Sequence, residues 1–426
     1  MVPHSNRDQY RRSRRDHASH GSHAAIHFFR RNIADRVDGV CRVVDECCAS
    51  PAMTRFAVIA GGGTSGHVLP ALAIAEALVD AGHTKSEIAY FGARRGVETT
   101  IVPPTGFPHE FFDVVGLKRE ISVSALRHNA TFVPRMLRAR RRAISLLRQD
   151  RPKVVISVGG YASLPAVLAA RVCDIPVVVV SYDRRPGRSS QWAARFAARS
   201  AVAYPESTLP RAVWTGAPVR RPIRLLDRQV ERERARQRWG IPEDVFLVGV
   251  VGGSLGSGVL NDTIRRYVED HGSDAGLAIH HVVGNRFYDA HTGTSTSGRG
   301  GLDYRVVAYE EDMVTMYSAI DLLIGRGGAG TVAEVATVGV PSILVPWSGA
   351  ADDHQTENVK WLSDSGGSIL IDEVDLSTRL GNMIDELRAD TDRRRAISDA
   401  AWSMGERNRS NTFAELIHDV VSEARS

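Results

Sequence analysis

Two glycine-rich segments occupy positions where an apolar, strand-like run gives way to an amphipathic stretch. Residues 61–66 have the spacing G-x-G-x-x-G and follow the apolar run 56–60, and residues 252–258 follow the run 245–251. Glycines let the backbone approach a phosphate closely, and the N-terminus of the next helix attracts negative charge. The sequence therefore predicts phosphate binding at both loops. Glycines that only permit a tight turn are the alternative for either loop alone.

His67 closes the first loop at the start of the predicted helix. The partial positive charge of a helix N-terminus disfavours the imidazolium ion and so favours neutral histidine, the form that accepts a proton. His67 is therefore a candidate general base, or an anchor for substrate, that faces a cleft. A histidine that only caps or packs against the helix is the alternative interpretation.

In the second half of the chain, residues 325–334 combine several glycines with an acid. At this point a predicted strand ends in small residues and a helix begins. Free amides at that helix start can bind phosphate, and Glu334, one turn inside, can accept hydrogen bonds from a ribose diol. A polar run that includes Gln355 follows at 352–358. This combination predicts a pocket for a nucleoside diphosphate. A capping carboxylate for Glu334 and a solvated position for Gln355 are the alternatives.

The first glycine loop alone is also compatible with a dinucleotide cofactor. A dehydrogenase of that kind needs an acid at the end of its second strand to hold the ribose. Here residues 91–95 read Phe-Gly-Ala-Arg-Arg, without an acid. A non-transferase that binds nucleotides, such as an NADP enzyme using Arg94 or a sugar-nucleotide epimerase, therefore stays open as an alternative.

The elements that must position these residues alternate regularly along the chain. Apolar runs of strand length alternate with helix-like stretches, which indicates an α/β fold with parallel sheets and helices on both faces. Prolines at 218 and 222 interrupt this pattern, which then restarts. The 426 residues thus predict two Rossmann-like domains, 53–220 and 221–426. A final amphipathic helix at 411–424 is a candidate to pack back on the first domain.

Residues 1–52 differ from the rest of the chain. They hold nine arginines against six acids and three of the four cysteines, with no apolar segment of the kind that a signal peptide needs. We expect a flexible leader, with the folded protein starting at Met53. A metal site at Cys47 and Cys48 is a weaker alternative, because no second ligand pair has suitable spacing. No apolar run approaches the ~18 residues of a transmembrane helix.

From Arg55 to the C-terminus these motifs closely resemble those of the MurG family. Six family motifs occur in order: GGTxGHxxPA at 62–71, GGY at 159–161, the hinge motif G-x-PVR at 216–220, GGSxGA at 252–257 with Ser257 for alanine, RxGAxTxxE at 326–334 and DxQxxN at 353–358. The resemblance implies the GT-B fold, in which two Rossmann-like domains face each other across a cleft. It also implies transfer of GlcNAc from UDP-GlcNAc to undecaprenyl-linked MurNAc-pentapeptide, the step from lipid I to lipid II in peptidoglycan synthesis.

The resemblance assigns a role to each motif. The implied donor-site residues are Thr64, Ser65, Gly66, Asp183, Arg220, Ser254, Glu310, Ala329, Gly330, Thr331, Val332, Ala333, Glu334 and Gln355. Ser254 and the amides of 329–332 would lie near phosphate, Glu334 at the ribose and Gln355 at the sugar, while the segment 309–313 would flank uracil. The family inverts the anomeric carbon without a covalent intermediate, and neither a metal nor another cofactor is implied.

One segment departs from the family pattern. The family has the sequence HEQN after its fourth strand, whereas residues 180–183 read Val-Ser-Tyr-Asp here. Asp183 therefore replaces the family's asparagine and becomes a rival to His67 as the base. A second departure places Gly330 where the family has leucine. A related GT-B transferase with a different lipid or small-molecule acceptor is the alternative function.

Residues 118–153 carry eleven lysines or arginines against two acids, more positive charge than the net +5 of the whole chain. A basic helix with interspersed apolar residues favours an anionic lipid surface, and Arg138, Arg140, Arg141 and Arg142 are its candidate contacts. Because the family's acceptor is embedded in the membrane, we expect peripheral attachment to the cytoplasmic face of the cell membrane, on its anionic inner leaflet. An ordinary solvated helix face is the alternative, and no nucleic-acid motif is present.

Overall fold

The structure is a computed structural model that describes residues 54–116, 122–253, 256–291, 293–296, 300–350 and 353–425. The predicted leader, with Cys47 and Cys48, lies outside these residues, and so does Ser254 of the predicted donor site.

The first sheet has seven parallel strands in the order β3-β2-β1-β4-β5-β6-β7. They are β1 (Ala57–Ala60), β2 (Ile88–Ala93), β3 (His109–Phe112), β4 (Val154–Ser157), β5 (Val177–Ser181), β6 (Arg199–Val202) and β7 (Ala212–Trp214). Strands β1, β2, β4 and β5 are buried along their whole length. Continuous apolar sequence is what a strand covered on both faces requires.

Helices cover this sheet on both faces. They are α1 (Ser65–Asp80), α2 (Glu98–Ile101), α3 (Val123–Ala130), α4 (Phe132–Asp150), α5 (Leu164–Val172) and α6 (Arg188–Ala194). Successive residues of β1 feed opposite cores: Ile59 packs in the cluster that contains α1, and Val58 packs in the cluster that contains α4 and α5. This alternation follows from the two-residue period of a strand.

The second sheet has six parallel strands in the order β10-β9-β8-β11-β12-β13. They are β8 (Phe246–Val251), β9 (Leu277–Val282), β10 (Asp303–Val307), β11 (Leu322–Arg326), β12 (Ser342–Val345) and β13 (Ile369–Leu370). Two apolar clusters again lie on its two faces. The prediction of an α/β fold built from two Rossmann-like, parallel-sheet halves is confirmed.

The second half also carries the remaining helices. They are α7 (Arg221–Arg224), α8 (Arg228–Trp239), α9 (Gly258–Asp270), α10 (Tyr288–His291), α11 (Met313–Ala319), α12 (Ala329–Val338), α13 (His354–Ser363), α14 (Leu376–Ala389), α15 (Thr391–Met404), α16 (Glu406–Arg409) and α17 (Thr412–Glu423). Within the described ranges, no helix is both long and apolar enough to cross a membrane.

The chain passes between the two domains twice. It enters the second domain after β7, and it returns when α17 packs Phe413, Leu416 and Ile417 into the core beneath the first sheet. The two crossings touch each other: the side-chain oxygen of Asn408 accepts a hydrogen bond from the backbone N–H of Ala217 at 2.8 Å.

The loops that carry the predicted motifs leave the carboxyl ends of the parallel strands. In the first domain they follow β1, β4 and β5, and in the second they follow β8, β11 and β12. Ligands of open parallel sheets bind at this edge. A side-chain hydrogen bond joins the two edges: Asn358 Nδ2, on α13, donates to Asp183 Oδ1 at 3.1 Å. The candidate site is therefore the cleft between the two carboxyl edges.

Candidate active site

The first glycine loop connects β1 to α1 and opens toward the cleft. Gly62 has a backbone φ of +145°, which is readily accessible only to glycine, and a side chain there would come within 2.4 Å of Glu98. Thr64 occupies the N-cap position but its side chain does not cap α1, so the first amides of the helix remain available. Ser65 and Gly66 form the first residues of that helix. The loop thus has the geometry that phosphate binding requires.

His67 lies in the first turn of α1, partly buried against the turn that follows β4. Its Nδ1 lies 3.0 Å from Thr64 Oγ1, and the ring of Tyr182 meets the imidazole edge-on at a centroid distance of 6.0 Å. Burial lowers the pKa of His67, and the carboxylates of Asp183 and Glu98 act in the opposite direction. The imidazole is therefore mainly neutral near pH 7, which is the protonation state that a general base needs.

Asp183 follows β5 and faces the second domain. Besides the bond from Asn358 to its carboxylate, the neighbouring backbone N–H of Arg184 donates to Asn358 Oδ1 at 2.9 Å. The guanidinium of Arg185 lies 3.3 Å from a carboxylate oxygen of Glu357. The structure therefore brings both base candidates into the cleft, and it engages Asp183 in a bond between the domains.

The start of α12 supplies an uncapped helix N-terminus to the same cleft. Gly328 is its N-cap residue, and no side chain among the described residues caps the helix. A side chain at Gly328 or Gly330 would meet nothing within 4 Å, so the space in front of the helix is open. The amides of Ala329, Gly330 and Thr331 can therefore bind a phosphate, whereas Val332 and Ala333 are buried on the helix behind them.

Glu334 lies one turn inside α12 and is held by a tyrosine. Tyr317, fully buried on α11, donates its hydroxyl to Glu334 Oε2 at 2.7 Å. Burial raises the pKa of Glu334 to about 7, although the Tyr317 hydroxyl and the positive charge of Arg220 oppose the rise. One carboxylate oxygen, Oε1, remains for a ligand hydroxyl.

Arg220 lies where the chain first crosses between the domains. Its guanidinium pairs with Glu76 on α1, with Nη2 2.7 Å from Glu76 Oε1. Its positive charge also opposes the rise in the pKa of Glu334, the ribose candidate of the second domain.

Two other predicted residues use their side chains within the protein. Gln355 Oε1 accepts a hydrogen bond from the backbone N–H of Trp347 at 3.0 Å. Glu310 Oε2 lies 2.8 Å from His280 Nε2, and this hydrogen bond lowers the pKa of the carboxyl. The side-chain amide nitrogen of Gln355 stays available at the cleft, whereas the Glu310 carboxylate is engaged.

Ser257, which replaces the family's alanine, has a local function. Its hydroxyl accepts from the backbone N–H of Leu260 and so caps α9, and it also accepts from the buried guanidinium of Arg326 at 2.5 Å. Arg326 pairs in addition with Glu373 at 2.5 Å. These contacts fix the loop after β8 against the end of β11 and the segment after β13.

Sequence analysis missed three acidic or phenolic partners: Glu76, Glu98 and Tyr317. The position of Glu98 could have drawn attention to it, because it lies shortly after the second strand, where dinucleotide-binding proteins carry an acid for the ribose. The structure shows it completely buried and hydrogen-bonded to backbone, so it does not face a ligand. Glu76 on α1 and Tyr317 on α11 occupy positions that none of the motifs specifies, so the sequence did not single them out.

The basic helix α4 buries one side and exposes the other. Met136, Ala139, Ala143 and Leu147 are buried, Arg140 is half-buried, and Arg138, Arg141 and Arg142 are exposed. Val133 and Leu137 are also exposed, at 59% and 47%. Val133, Leu137 and Arg141 follow one another at intervals of four residues, so they share one face of the helix. Arg142 is paired with Glu110 at 3.0 Å.

Comparison with known proteins agrees with the motifs. Residues 57–202 match the glycosyltransferase family 28 N-terminal domain, and residues 247–419 match the glycosyltransferase family 28 C-terminal domain. The chain belongs to glycosyltransferase family 28. The resemblance to the MurG family is confirmed by the relatives and by a solved structure.

Two curated relatives carry the name UDP-N-acetylglucosamine–N-acetylmuramyl-(pentapeptide) pyrophosphoryl-undecaprenol N-acetylglucosamine transferase. The protein from Desulforudis audaxviator is 34% identical over 376 residues, which cover 86% of this chain and 98% of the relative. The protein from Nocardioides sp. is 36% identical over 366 residues, covering 85% and 97%. This chain therefore spans nearly the whole length of both relatives.

Among solved structures, Acinetobacter baumannii MurG aligns with a TM-score of 0.63 and 26% identity, covering 87% of this chain and 99% of that one. A Listeria monocytogenes protein described as a putative UDP-N-acetylglucosamine 2-epimerase aligns with a TM-score of 0.55 and 12% identity, covering 85% and 95%. At that identity the likeness shows the fold alone. The GT-B fold is confirmed, and by itself it does not separate transfer from epimerisation.

Proposed function

We propose that this family 28 glycosyltransferase moves GlcNAc from UDP-GlcNAc to lipid-linked MurNAc-pentapeptide, converting lipid I to lipid II. The proposal rests on one observation: each domain contributes part of a transfer site to the same cleft. The second domain offers an uncapped helix N-terminus backed by Glu334, and the first offers the neutral imidazole of His67. The names of the curated relatives describe the same reaction.

We expect the donor to bind mainly in the second domain. The diphosphate lies at the amides that open α12, and Glu334 Oε1 accepts from the ribose diol. The carboxylate of Glu310 is engaged by His280 and so is not available to the ligand. In the segment 309–313 the backbone therefore remains to flank uracil. The side-chain amide of Gln355 contacts the sugar, and Thr64, Ser65, Gly66 and Arg220 complete the site from the first domain.

The acceptor reacts from the side of His67. In the tautomer whose Nδ1–H donates to Thr64 Oγ1, the nitrogen Nε2 is free to accept a proton. A side chain at Gly159 or Gly160 would lie within 3.6 Å of Nε2, so glycine at both positions avoids a side-chain contact with that nitrogen. The acceptor hydroxyl oxygen bonds to the anomeric carbon and gives its proton to Nε2. UDP leaves with the electron pair of the broken bond, and the α12 N-terminus stabilises its charge.

A second candidate function is favoured by the segment around Asp183. Tyr182 packs against the cores of both domains, and its hydroxyl is buried with no hydrogen-bond partner among the described residues. This bulky phenol occupies the place of the family's glutamine. A transferase with the same donor and a different lipid or small-molecule acceptor is therefore the alternative.

One experiment separates these functions. Labelled UDP-GlcNAc is incubated with the protein alone, with a lipid I analogue and with a set of non-peptidoglycan lipid acceptors. We expect a disaccharide-lipid product that requires the lipid I analogue. Product formed only on another acceptor would select the alternative, whereas conversion of UDP-GlcNAc without any acceptor would indicate epimerisation or hydrolysis.

We further propose peripheral attachment to an anionic membrane surface, on the cytoplasmic face of the cell membrane, through the exposed side of α4. Val133 and Leu137 can enter the interface while the neighbouring arginines contact lipid phosphates, each worth about 1 kcal/mol near an anionic bilayer. This surface would bring the cleft to an acceptor that stays in the membrane.

Replacement of Arg138, Arg140, Arg141 and Arg142 by serine should reduce sedimentation with phosphatidylglycerol-containing vesicles, and the remaining binding should depend less on salt. The measurement is cosedimentation at two salt concentrations. A control of equal charge replaces four exposed arginines of the second domain, Arg234, Arg266, Arg379 and Arg395. Equal vesicle binding by the α4 variant and the unchanged protein would refute the membrane face.

A further inference from the structure

The side chain of Glu98, on the short helix α2, is completely buried beneath the first glycine loop. Its Oε1 accepts hydrogen bonds from the backbone N–H of Gly63 at 2.9 Å and of Ala93 at 3.0 Å. A side chain at Gly62 would approach this carboxylate to 2.4 Å, and one at Gly96 to 2.1 Å. The glycines thus make room for a carboxylate that joins the loop after β1 to the end of β2.

Anchoring the loop accounts for only one of the two oxygens of this carboxylate. Its second oxygen, Oε2, is buried and has no hydrogen-bond partner within the described part of the chain, where no cation pairs with Glu98 either. A buried carboxylate without such partners costs considerable free energy. The two amide hydrogen bonds use only one oxygen of Glu98, so they do not by themselves require a carboxylate.

The loop that Glu98 anchors is the one that orients His67. Gly63 directly precedes Thr64, whose Oγ1 lies 3.0 Å from His67 Nδ1 and whose carbonyl accepts from the His67 backbone N–H at 3.1 Å. A shift of Gly63 would therefore move Thr64 and the imidazole together.

The charge of Glu98 reaches the same imidazole. The ionisable groups that face His67 are the carboxylate of Asp183 after β5, that of Glu98 from α2, and the phenol of Tyr182. The turn packed on its other side is formed by Gly159 and Gly160, which carry no ionisable side chain. Both carboxylates favour the imidazolium and so oppose the effect of burial on the pKa of His67.

We propose that Glu98 is a positioning residue for His67: its carboxylate anchors the loop that orients the imidazole and places a negative charge beneath that loop. This inference rests on the proposed role of His67 as the base. It assigns to the first domain a function for a carboxylate that touches neither substrate.

Three variants separate anchoring from charge. Glu98→Ala removes both hydrogen bonds and the charge, and Glu98→Gln keeps the shape and an acceptor oxygen but removes the charge. Tyr90→Phe is the matched control, because the Tyr90 hydroxyl donates to the Gly61 carbonyl at 2.7 Å and so anchors the same loop without a negative charge.

The readouts are the pH profile of kcat with UDP-GlcNAc and a lipid I analogue, the Kd for UDP-GlcNAc, and the NMR titration of His67 in histidine-labelled protein. We expect Glu98→Ala to lower kcat by about 10²-fold, the cost of misplacing a reacting group. In Glu98→Gln, loss of the negative charge should move the acidic limb of the profile and the His67 titration to lower pH. Tyr90→Phe should leave that midpoint unchanged. Glu98→Gln and Tyr90→Phe should keep the affinity for UDP-GlcNAc, whereas Glu98→Ala should weaken it, because the displaced loop also carries Thr64 and Gly66 of the proposed donor site.

The inference is wrong if His67 titrates at the same pH in Glu98→Gln as in the unchanged protein and kcat is also the same. It is also wrong if Tyr90→Phe moves the titration as much as Glu98→Gln does, because loop anchoring alone would then explain the shift. Should Glu98→Ala fail to fold, Glu98→Gln carries the test. Failure of the unchanged protein to glycosylate the lipid I analogue would refute the proposed function instead, and the substrate-free NMR titration would still decide whether Glu98 acts on His67.

Discussion

His67→Ala should lower turnover by about 10²–10⁴-fold, the usual share of general base catalysis, while the affinity for UDP-GlcNAc stays nearly unchanged. The acceptor hydroxyl must lose its proton as the bond to UDP breaks, and the neutral imidazole is placed to take it. The proposed donor site, in contrast, lies mainly in the second domain. The measurement is steady-state transfer to a lipid I analogue, with the UDP-GlcNAc Kd determined separately by calorimetry.

The control is His109→Ala, an exposed histidine on the outer strand β3, which should keep full turnover. Asp183 offers a second comparison, since Asp183→Asn restores the family residue and keeps an acceptor for Asn358. Near-normal turnover in His67→Ala, combined with a collapse in Asp183→Asn, would transfer the base role to Asp183. It would also mark the protein as a divergent transferase.

Glu334→Ala should weaken UDP-GlcNAc binding by roughly 1–3 kcal/mol, because the ribose hydroxyls lose their acceptor in a desolvated site. That corresponds to an increase in Kd of about 5–150-fold. Calorimetric titration measures it directly, and Glu269→Ala, on the exposed side of α9, is the matched control. An unchanged Kd in Glu334→Ala would remove this residue from the donor site.

The same carboxylate predicts a pH dependence. With a pKa of about 7, Glu334 is largely protonated at pH 6 and largely ionised at pH 8. The ionised form accepts more hydrogen bonds, so the affinity for UDP-GlcNAc should rise across this interval. The esterified diphosphate of that ligand does not titrate there. In Glu334→Gln the rise should disappear, and its persistence would show that another group causes it.

The central strands of both sheets were predictable because burial on two faces demands uninterrupted apolar sequence, as in the four valines 177–180 of β5. The outer strands were not. In β10 only alternate residues are buried, and β13 is just Ile369–Leu370, so neither produces such a run. Their pairing with β9 and β12 is set by tertiary contacts.

The sequence predicted which motif residues lie at the site, but it did not predict which side chains they contact. Glycine spacing marked both phosphate loops and the start of α12, because few other residues permit those backbone approaches. The partners came from distant parts of the chain: Tyr317 for Glu334, Glu76 for Arg220 and Asn358 for Asp183. Such pairs depend on how helices pack, which local sequence does not encode.

The paired crossings between the domains limit how the cleft can open. A single linker would let the two domains rotate about any axis. Two adjacent segments, joined by the hydrogen bond from Ala217 to Asn408, restrict the rotation to one axis. Rotation about the line through both segments leaves that bond intact, and twisting across it would break the bond. Each opening and closing should therefore return the imidazole of the first domain to the same place over the proposed sugar site of the second.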